Sequence, residues 1–372
     1  MGGGKKVYRV LITGGRGQLG RELQRLLEQA GVEYEAAGLP ELDVTDERAV
    51  REAVRRAVEQ ARDRGRSQGQ GEGHGQGQGY GRGPARAVLV IHAAAYTAVD
   101  RAEDPAEREV AARVNVLGTR NVARACAAAG APLVYVSTDF VFGGEKRVPY
   151  EVDDPPSPLN VYGATKLAGE QAVREICPQH YIVRTAWLFG VHGRNFPKAI
   201  LEAARASVTG GESRGGNVKP LRVVNDQVGC PTYARDLAEA ILLLAGVEVI
   251  DPQGVRVVTG ATRGASDLAE RVRATTTLPA PAPFGTYHIT NGGSCSWYEF
   301  AREIVRLAGW PVEVEPITSA QLNRPARRPA YSVLSPARLR SVGLELRPWP
   351  EALRTFMAEL RTHSPELFPE GG

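Results

Sequence analysis

Hydrophobic and polar positions along this chain follow two periods, one typical of strands and the other of helices. Short apolar runs recur up to residue 185, and amphipathic stretches separate them. Strands that alternate with helices favour a parallel sheet with helices on both faces, so the pattern predicts an α/β fold. The predicted strands cover residues 7–13, 32–37, 88–92, 133–137 and 180–185, and the predicted helices cover 21–29, 46–62 and 107–129, followed by one that contains Tyr162.

After residue 185 the pattern is less regular. We predict that residues 1–185 form the sheet domain and that residues 186–372 mainly form a smaller, mostly helical subdomain, with some segments returning to the sheet domain. No internal repeat is evident. The predicted elements of the second unit are a Gly-rich loop over 208–219 and helices over 265–274, 297–308 and 350–362.

The segment 65–83 interrupts the first unit. Nine of its nineteen residues are glycine, and most of the others are polar. Such a segment buries too little apolar surface to offset its ordering entropy, so we predict a flexible surface insertion. Basic, Gly-rich segments also occur in RNA-binding proteins of the RGG type, but no RGG unit repeats here.

Composition places the chain among ordinary globular proteins. Its 372 residues (40.0 kDa) are 42% hydrophobic and 24% charged, and the formal net charge is +4, with basic and acidic residues interspersed. This charge pattern predicts no nucleic-acid partner and no membrane partner. No apolar run reaches the roughly 18 residues that a membrane helix needs, and no signal-peptide core follows residues 1–6, so we predict a cytoplasmic protein.

The cysteines and histidines show no metal-ligand spacing. Neither a C-x-x-C pair nor an H-x-x-x-H pair occurs, so we predict no structural or catalytic metal. Scattered thiols are typical of a reduced cytosolic protein. The cysteines are Cys126, Cys177, Cys230 and Cys295.

A glycine turn follows the first predicted strand and opens the first predicted helix. Gly14, Gly17 and Gly20 let the chain turn tightly and bring backbone N–H groups near a pyrophosphate at the positive end of the helix. A plain strand-to-helix turn is the alternative, but the strand–turn–helix context favours dinucleotide binding. Gln18 and Leu19, inside the same motif, are further predicted cofactor contacts.

The end of the second predicted strand bears on the choice between NADH and NADPH. Many dinucleotide-binding folds carry a carboxylate there for the adenosine ribose, whereas residues 37–39 of this chain are Ala-Gly-Leu. Arg16 in the glycine turn can instead meet a 2′-phosphate, which favours NADPH and leaves NADH open. Asp43, with Val44 beside it, is the predicted adenine contact; its alternative role is to start the next helix together with Thr45.

Three small residues, Ala93, Ala94 and Ala95, follow the third predicted strand. Small side chains there let a cofactor pass across the carboxyl end of the strand, and close packing of a helix on the sheet is an alternative that is compatible with this role. Tyr96 and Thr97 continue the segment, and we assign them to the cofactor side as well.

Tyr162 and Lys166 are four residues apart and project from one face of a predicted helix. A lysine ammonium beside a phenol stabilises the phenolate, so the tyrosine can donate a proton to a carbonyl under reduction. Thr138, at the end of the fourth predicted strand, can hydrogen-bond the same carbonyl, or it merely caps the strand. Together with the glycine turn, these residues predict nucleotide-dependent carbonyl reduction.

From residue 7 to about residue 339, the chain resembles the dTDP-4-dehydrorhamnose reductases within the extended short-chain dehydrogenase/reductase superfamily. Seven motifs carry this resemblance. Two blocks within them, Thr97-Ala98-Val99-Asp100 and Asp226-Gln227-x-Gly229-x-Pro231-Thr232, are far more selective than the motifs of the whole superfamily. The seven motifs are Thr13-Gly14-x-x-Gly17-Gln18-Leu19-Gly20, Ser137-Thr138-Asp139-Phe140-Val141-Phe142, Ala93-Ala94-Ala95-Tyr96-Thr97-Ala98-Val99-Asp100-x-Ala102-Glu103, Pro158-Leu159-Asn160-Val161-Tyr162-Gly163-x-x-Lys166-Leu167-x-Gly169-Glu170, Arg184-Thr185-Ala186-Trp187 with Asn195-Phe196, Val224-Asn225-Asp226-Gln227-x-Gly229-x-Pro231-Thr232, and Arg328-Pro329-x-x-Ser332-x-Leu334.

The resemblance implies a Rossmann-like, doubly wound sheet and hydride delivery from NADPH or NADH to C4 of dTDP-4-dehydro-β-L-rhamnose, which gives dTDP-L-rhamnose. Tyr162 would donate the proton, Lys166 would lower the phenol pKa and hold the nicotinamide ribose, and Thr138 would orient the carbonyl. Without the resemblance, a packed core would be the expected place of Trp187, and a solvated surface that of Arg328. The implied substrate contacts are Val99, Asp100, Thr138, Asp139, Trp187 and Asn195 at the sugar, and Arg328 at the nucleotide diphosphate.

The chain departs from the family pattern at a few positions. Phe140 stands where many relatives have tyrosine, which removes a hydroxyl near the substrate. Some bacterial members bind magnesium through a glutamate cluster at a dimer interface; Glu22 fits that cluster, but Arg235 stands where another glutamate is expected. We therefore predict no metal, and a homodimer is left open.

Two other functions compete with this assignment. One is a different nucleotide-sugar ketoreductase or epimerase on the same scaffold, which the two selective motifs disfavour. The other is a non-catalytic regulatory subunit that binds a dinucleotide and a partner enzyme. The intact set of Thr138, Tyr162 and Lys166 disfavours the second alternative.

Overall fold

Six parallel strands form the central sheet of this protein. The computed structural model describes residues 9–68, 88–209, 218–247 and 281–369. Within them the sheet has the order β10-β5-β4-β3-β1-β2, and each adjacent pair of strands is parallel. These strands are β1 (Arg9–Thr13), β2 (Glu33–Ala37), β3 (Val88–His92), β4 (Leu133–Thr138), β5 (His180–Thr185) and β10 (Gly285–His288).

Helices cover both faces of this sheet, as the alternation of strands and helices predicts. Consecutive residues of β1 point to opposite faces, so Val10 and Ile12 join one core while Leu11 joins the other. The first core contains apolar residues of α1 and α7, and the second contains those of α2, α4 and α5. The predicted Rossmann-like, doubly wound α/β fold is confirmed. The helices are α1 (Gln18–Gln29), α2 (Glu47–Gln68), α3 (Pro105–Ala112), α4 (Thr119–Ala129), α5 (Val161–Ile176), α6 (Phe196–Thr209) and α7 (Ala234–Leu244).

The helix predicted over 107–129 is interrupted, so this prediction was wrong in part. The chain forms α3, then a π-helical turn over Arg113–Gly118, and then α4. A π-turn inserts an extra residue into the helix, and such insertions often lie at functional sites. Asn115 inside the turn is buried and bonds to the backbone of Tyr96, so a tertiary contact accompanies the interruption.

A third core lies in the C-terminal part of the chain. It joins α6 to the helices Trp297–Ala308 and Trp349–His363, which match the helices predicted over 297–308 and 350–362. The remaining elements are the strands β6 (Leu188–Phe189), β7 (Leu221–Val224), β8 (Val228–Gly229), β9 (Thr232–Tyr233), β11 (Cys295–Ser296) and β12 (Val314–Ile317) and the short helices Ser319–Leu322 and Ala337–Ser341.

Some predictions meet the limits of the described residues. The α2 helix continues to Gln68, four residues into the segment predicted as a loop from residue 65, and the rest of that segment lies outside the described residues. The helix predicted over 265–274 and most of the loop predicted over 208–219 also lie outside them. Among the described helices, none is both long and apolar enough to cross a membrane.

Candidate active site

A cavity of about 370 Å³ opens at the carboxyl ends of the central strands. This is the edge at which open α/β sheets bind their ligands. Glycine-turn residues, the end of β4, the start of α5 and the segment after β5 line it together. Twelve residues predicted for the site are among the lining residues: Gly14, Gly17, Gln18, Leu19, Ala93, Ala95, Thr97, Thr138, Asp139, Tyr162, Lys166 and Trp187.

The glycine turn, called the glycine cradle below, is packed so closely that a side chain at Gly14 or Gly20 would collide with neighbouring backbone. Gly14 has φ +75°, and a Cβ added to it would lie 2.5 Å from the backbone nitrogen of Ala94. A Cβ on Gly20 would lie 2.4 Å from the carbonyl oxygen of Gly14. Gly17 is the N-cap of α1 and makes no side-chain cap, so the helix N-terminus is left to an external anion. These features fit the pyrophosphate of a dinucleotide.

A carboxylate that the sequence motif did not place lies beside Arg16. The second strand ends without an acid, but Glu41 forms an ion pair with the Arg16 guanidinium, and both side chains are exposed. Position 38 packs near Arg16, since a Cβ there would lie 3.8 Å from Arg16 Cγ. Arg16 therefore lies at the carboxyl end of β2, where the adenosine ribose of a dinucleotide is expected.

Asp43 forms a local turn with Thr45 ahead of α2, but Asp46, not Asp43, accepts a backbone N–H of the first turn of that helix, from Ala49 at 3.0 Å. Asp43 Oδ1 accepts hydrogen bonds from the backbone nitrogen and the hydroxyl of Thr45, at 2.9 and 2.8 Å. Val44 is buried, and its carbonyl accepts a hydrogen bond from Asn121 Nδ2 at 3.0 Å. An adenine contact by Asp43 and Val44 stays a prediction.

Tyr162 and Lys166 both face the cavity from the first turns of α5. The helix begins at the N-cap Asn160, whose Oδ1 accepts the backbone N–H of Gly163 at 2.8 Å. Lys166 Nζ donates to the carbonyl oxygen of Val136 at 2.7 Å and lies 4.1 Å from the ring centroid of Tyr135. These contacts direct the amine toward the end of β4.

Burial dominates the pKa values of both Tyr162 and Lys166. Burial raises the pKa of Tyr162 to about 12, and the hydroxyl of Thr138 offsets this only in part. Burial also lowers the pKa of Lys166 to about 7, although Glu170 works against that change. With a pKa of about 7, Lys166 is about half protonated near neutral pH, so stabilisation of the phenolate by its charged form stays a prediction.

Thr138 and Asp139 form one hydrogen-bonded group with Ser332. The Thr138 hydroxyl donates to Asp139 Oδ1 at 3.0 Å, and the Ser332 hydroxyl donates to Asp139 Oδ2 at 2.6 Å. Burial raises the pKa of Asp139 to about 6, despite these two bonds. Thr138 also accepts the backbone N–H of Phe140 at 3.2 Å, so its alternative role as a strand-end cap is present as well.

Asp100 and Arg328 pair with each other outside the cavity lining. Arg328 donates to both carboxylate oxygens of Asp100, at 2.9 and 2.8 Å, and Arg324 donates a further bond at 3.0 Å. Burial would raise the pKa of Asp100, but the hydrogen bonds and charge of the two arginines lower it to about 2. The predicted sugar contact and the predicted diphosphate contact thus form one charged group.

The other predicted residues lie beside the cavity. Asn195 Nδ2 donates to Gln18 Oε1 at 2.9 Å, which joins a predicted sugar contact to a predicted cofactor contact. Tyr96 bonds through its backbone to Asn115. Neither Ala94 nor Val99 lines the cavity.

Sequence reasoning missed several residues that build this site. Three of them contact residues far away in the sequence, namely Asn115, Ser332 and Trp297. Of these three, only Ser332 lies in one of the family motifs. Val136 and Leu188 line the cavity but carry no distinctive side chain. Phe140 lies edge-on to Tyr162, with ring centroids 6.1 Å apart.

Glu22 and Arg235, which stand at positions of the magnesium-binding glutamate cluster, each form an ion pair within their own helix. Glu22 is buried and pairs with Arg25 at 2.9 Å, and Arg235 pairs with Glu239 at 3.4 Å. In the part of the chain that the structure describes, no group of three or more His, Cys, Asp or Glu side chains could hold a metal ion. The absence of a metal stays a prediction.

Comparison with known proteins gives the same family over nearly the whole chain. The family model described as "RmlD substrate binding domain" matches residues 8–258 and 253–362. A dTDP-4-dehydrorhamnose reductase of Streptomyces griseus is 40% identical, over 93% of this chain and 91% of that protein. A probable dTDP-4,6-dihydroxy-2-methyloxan-3-one 4-ketoreductase of Streptomyces antibioticus is 36% identical, over 95% of each.

A solved structure agrees with these relatives. The dTDP-4-dehydrorhamnose reductase of Bacillus anthracis, in complex with NADP, has 33% sequence identity and a TM-score of 0.69, covering 94% of this chain and 99% of its own. The glycine cradle and the cavity with Thr138, Tyr162 and Lys166 fit a nucleotide-dependent reductase. The chain belongs to the RmlD substrate-binding family.

Proposed function

We propose that this protein reduces the C4 ketone of dTDP-4-dehydro-β-L-rhamnose to dTDP-L-rhamnose with NADPH. The observation that carries the proposal is one cavity in which the glycine cradle faces Thr138, Tyr162 and Lys166. A reductase needs its hydride source and its proton donor on the same carbonyl, and this arrangement supplies both positions.

Tyr162 is the proton donor in this proposal. With a pKa of about 12 it is protonated throughout the neutral range, so its hydroxyl can donate to the carbonyl oxygen. Bound NADPH supplies the hydride that reaches C4. As the proton leaves Tyr162, the new phenolate raises the proton affinity of the nearby Lys166, whose pKa is about 7 in the free protein. Where Lys166 already carries its proton, as in about half of the molecules near pH 7, the new phenolate holds that proton on the amine and is stabilised by its charge.

Thr138 orients the carbonyl and links Tyr162 to Asp139. Its hydroxyl donates to Asp139 while the site is free, so it must turn toward the substrate to donate to the carbonyl oxygen. Ser332 then remains the donor to Asp139. The exchange keeps the buried carboxylate hydrogen-bonded in both states.

The glycine turn and the start of α1 supply the proposed contacts to the cofactor. The N–H groups of α1 hold the pyrophosphate, and Arg16 leaves Glu41 to meet the 2′-phosphate of NADPH. NADH binds without this contact, so it remains a weaker alternative cofactor. A thymidine-diphosphate sugar is the proposed substrate, with Arg328 and Arg324 as the cationic group on its side of the site. A cytoplasmic location and a homodimer stay predictions.

The proposal is tested by NADPH oxidation with dTDP-4-dehydro-6-deoxyglucose and its 3,5-epimerase, each omitted in turn. Oxidation that needs both components is expected, and NADPH binding without turnover refutes the reductase. Tyr162→Phe keeps the ring and removes the donor, so kcat falls by about 10²–10⁴-fold while NADPH still binds. NADPH oxidation by the wild type that is lost in Tyr162→Phe also separates a catalytic protein from a regulatory subunit, which would oxidise no NADPH in either form.

A second candidate is reduction of another dTDP-4-ketosugar. The 36% identity to the probable 4-ketoreductase of Streptomyces antibioticus favours it, because that relative is matched over 95% of this chain. Turnover of dTDP-4-dehydro-6-deoxyglucose without the epimerase, or a higher kcat/KM on a further dTDP-4-ketosugar, assigns this second function.

A further inference from the structure

Trp187 has a backbone conformation that bulky residues rarely adopt. Its φ is +48°, and among the described non-glycine residues only Asn323 shares a positive φ. Asparagine tolerates this region because its short polar side chain bonds locally, whereas tryptophan has no such help. Strained residues persist only where their surroundings hold them, and Trp187 lines the cavity.

Two neighbours, Trp297 and Gly229, hold the indole of Trp187. The ring of Trp297 stacks on it, with centroids 3.4 Å apart and an interplanar angle of 7°. A Cβ added to Gly229 would lie 2.5 Å from Cε2 and 2.6 Å from Nε1 of Trp187, so only glycine leaves the indole in place. The carbonyl oxygen of Trp187 also accepts the backbone N–H of Thr232 at 3.2 Å.

Trp297 is itself held from outside the cavity. It is the first residue of the helix Trp297–Ala308, whose N-terminus is closed by a capping box at Ser296. The Ser296 hydroxyl donates to Asn225 Oδ1 at 2.7 Å, and the Phe196 ring lies 4.5 Å from that of Trp297. Trp297 is not among the residues that line the cavity, so it can reach a ligand there only through Trp187.

We propose that Trp297 is a positioning residue that holds Trp187 as a fixed apolar wall of the sugar pocket and thereby sets the affinity for the sugar. The identity of that sugar rests on the proposed function. An indole against the C–H groups of a pyranose buries apolar surface of both partners. Without the stack, the strained Trp187 relaxes to other conformations and the wall is lost. Trp297 does not line the cavity that the glycine cradle lines, so we expect the cofactor affinity to be independent of it.

A double-mutant cycle tests whether Trp297 acts through Trp187. Trp297→Leu and Trp187→Ala each raise the KM for the ketosugar by about tenfold, and the double variant raises it no further. The KM for NADPH stays within about twofold in all three. Trp297→Phe keeps a ring that can stack, so it restores most of the sugar affinity even if the leucine variant folds poorly.

Circular dichroism reports the stack without any substrate. Two indoles at this distance give an exciton couplet, which Trp187→Phe and Trp297→Phe both abolish. Trp310→Phe is the matched control, because Trp310 lies in the same core, bonds through Nε1 to the carbonyl oxygen of Leu367 and is absent from the cavity lining. It keeps both the couplet and the sugar KM.

The outcomes separate this inference from the proposed function. Effects on the sugar KM that add in the double variant overturn the inference, because Trp297 then acts independently of Trp187. A matching rise in the KM for NADPH overturns it too, since that result indicates general loosening. If the wild type does not turn over the ketosugar, the proposed function fails and the sugar pocket fails with it; if it does and Trp297→Leu keeps the wild-type KM, only the inference fails.

Discussion

Removal of the Asn115 side chain tests whether the interrupted helix organises the cofactor side of the site. Asn115 Oδ1 accepts from Tyr96 N at 2.9 Å, and its Nδ2 donates to Tyr96 O at 3.1 Å and to Thr165 Oγ1 at 3.0 Å. Asn115→Ala loses these bonds, so at about 1 kcal/mol for each of the three the free energy of unfolding falls by about 3 kcal/mol. Since Tyr96 belongs to the cofactor segment and Thr165 precedes Lys166, NADPH binding weakens by about tenfold for each 1.4 kcal/mol that is needed to reorder them.

Asn291 is a matched control for this substitution. Like Asn115 it is 1% exposed, accepts one backbone N–H, from Tyr233 at 2.8 Å, and donates to one backbone carbonyl and one side chain. These partners lie outside the cavity lining. Asn291→Ala therefore lowers the free energy of unfolding by a similar amount, about 3 kcal/mol, and leaves the Kd for NADPH unchanged.

Denaturant unfolding and NADPH fluorescence titration, run on both variants, decide the question. The expected result is similar destabilisation with a weaker NADPH complex for Asn115→Ala alone. An unchanged NADPH Kd in Asn115→Ala, or an equal rise of the Kd in both variants, would refute the reasoning. In the first case Asn115 only stabilises the fold, and in the second any loss of stability weakens binding.

Three further predictions concern the cofactor and pH. Gly14→Ala places a Cβ 2.5 Å from neighbouring backbone at φ +75°, so it abolishes NADPH binding in a fluorescence titration; retained affinity contradicts the cradle. Arg16→Gln raises the KM for NADPH by about tenfold and leaves that for NADH unchanged, whereas Glu41→Gln lowers the KM for NADPH; parallel changes for both cofactors exclude the 2′-phosphate contact. Burial lowers the pKa of His92 and His288 from 6.5 to about 3. The stability that they contribute is complete above the unfolded pKa of 6.5 and is lost as the pH falls toward 3. The urea concentration at the unfolding midpoint should therefore decrease as the pH is lowered below about 6.5. If the double variant with both histidines changed to glutamine shows an equal decrease, the histidines are not its cause.

Five of the six strands of the central sheet were predictable because each is a short local signal, whereas β10 (Gly285–His288) was not predicted. In β3 all five residues are buried, which matches the uninterrupted apolar run that predicted the strand. The helix Trp297–Ala308 was predictable for a similar reason, since its apolar residues repeat at the helical period and its end is marked by Gly309 in the left-handed conformation.

The break at residues 113–118 was not predictable from local pattern. Residues 107–129 were predicted as one helix; Asn115, Gly118 and Thr119 lower the helix propensity near the break, but they do not specify a π-turn. The break accompanies the bonds from Asn115 to Tyr96 and Thr165, which depend on how α5 packs beside this helix. A tertiary contact outweighs local propensity here.

The sequence by itself determined the parallel sheet, the glycine turn and the placing of Thr138, Tyr162 and Lys166 at one edge, because the motifs that carry them follow strands whose carboxyl ends meet at that edge. Only the tertiary structure decided which distant residues meet them. Trp297 stacks on Trp187, and Ser332 bonds to Asp139. The protonation of the site was decided there too, because the pKa values of Tyr162 and Lys166 depend on burial, which no spacing along the chain reveals.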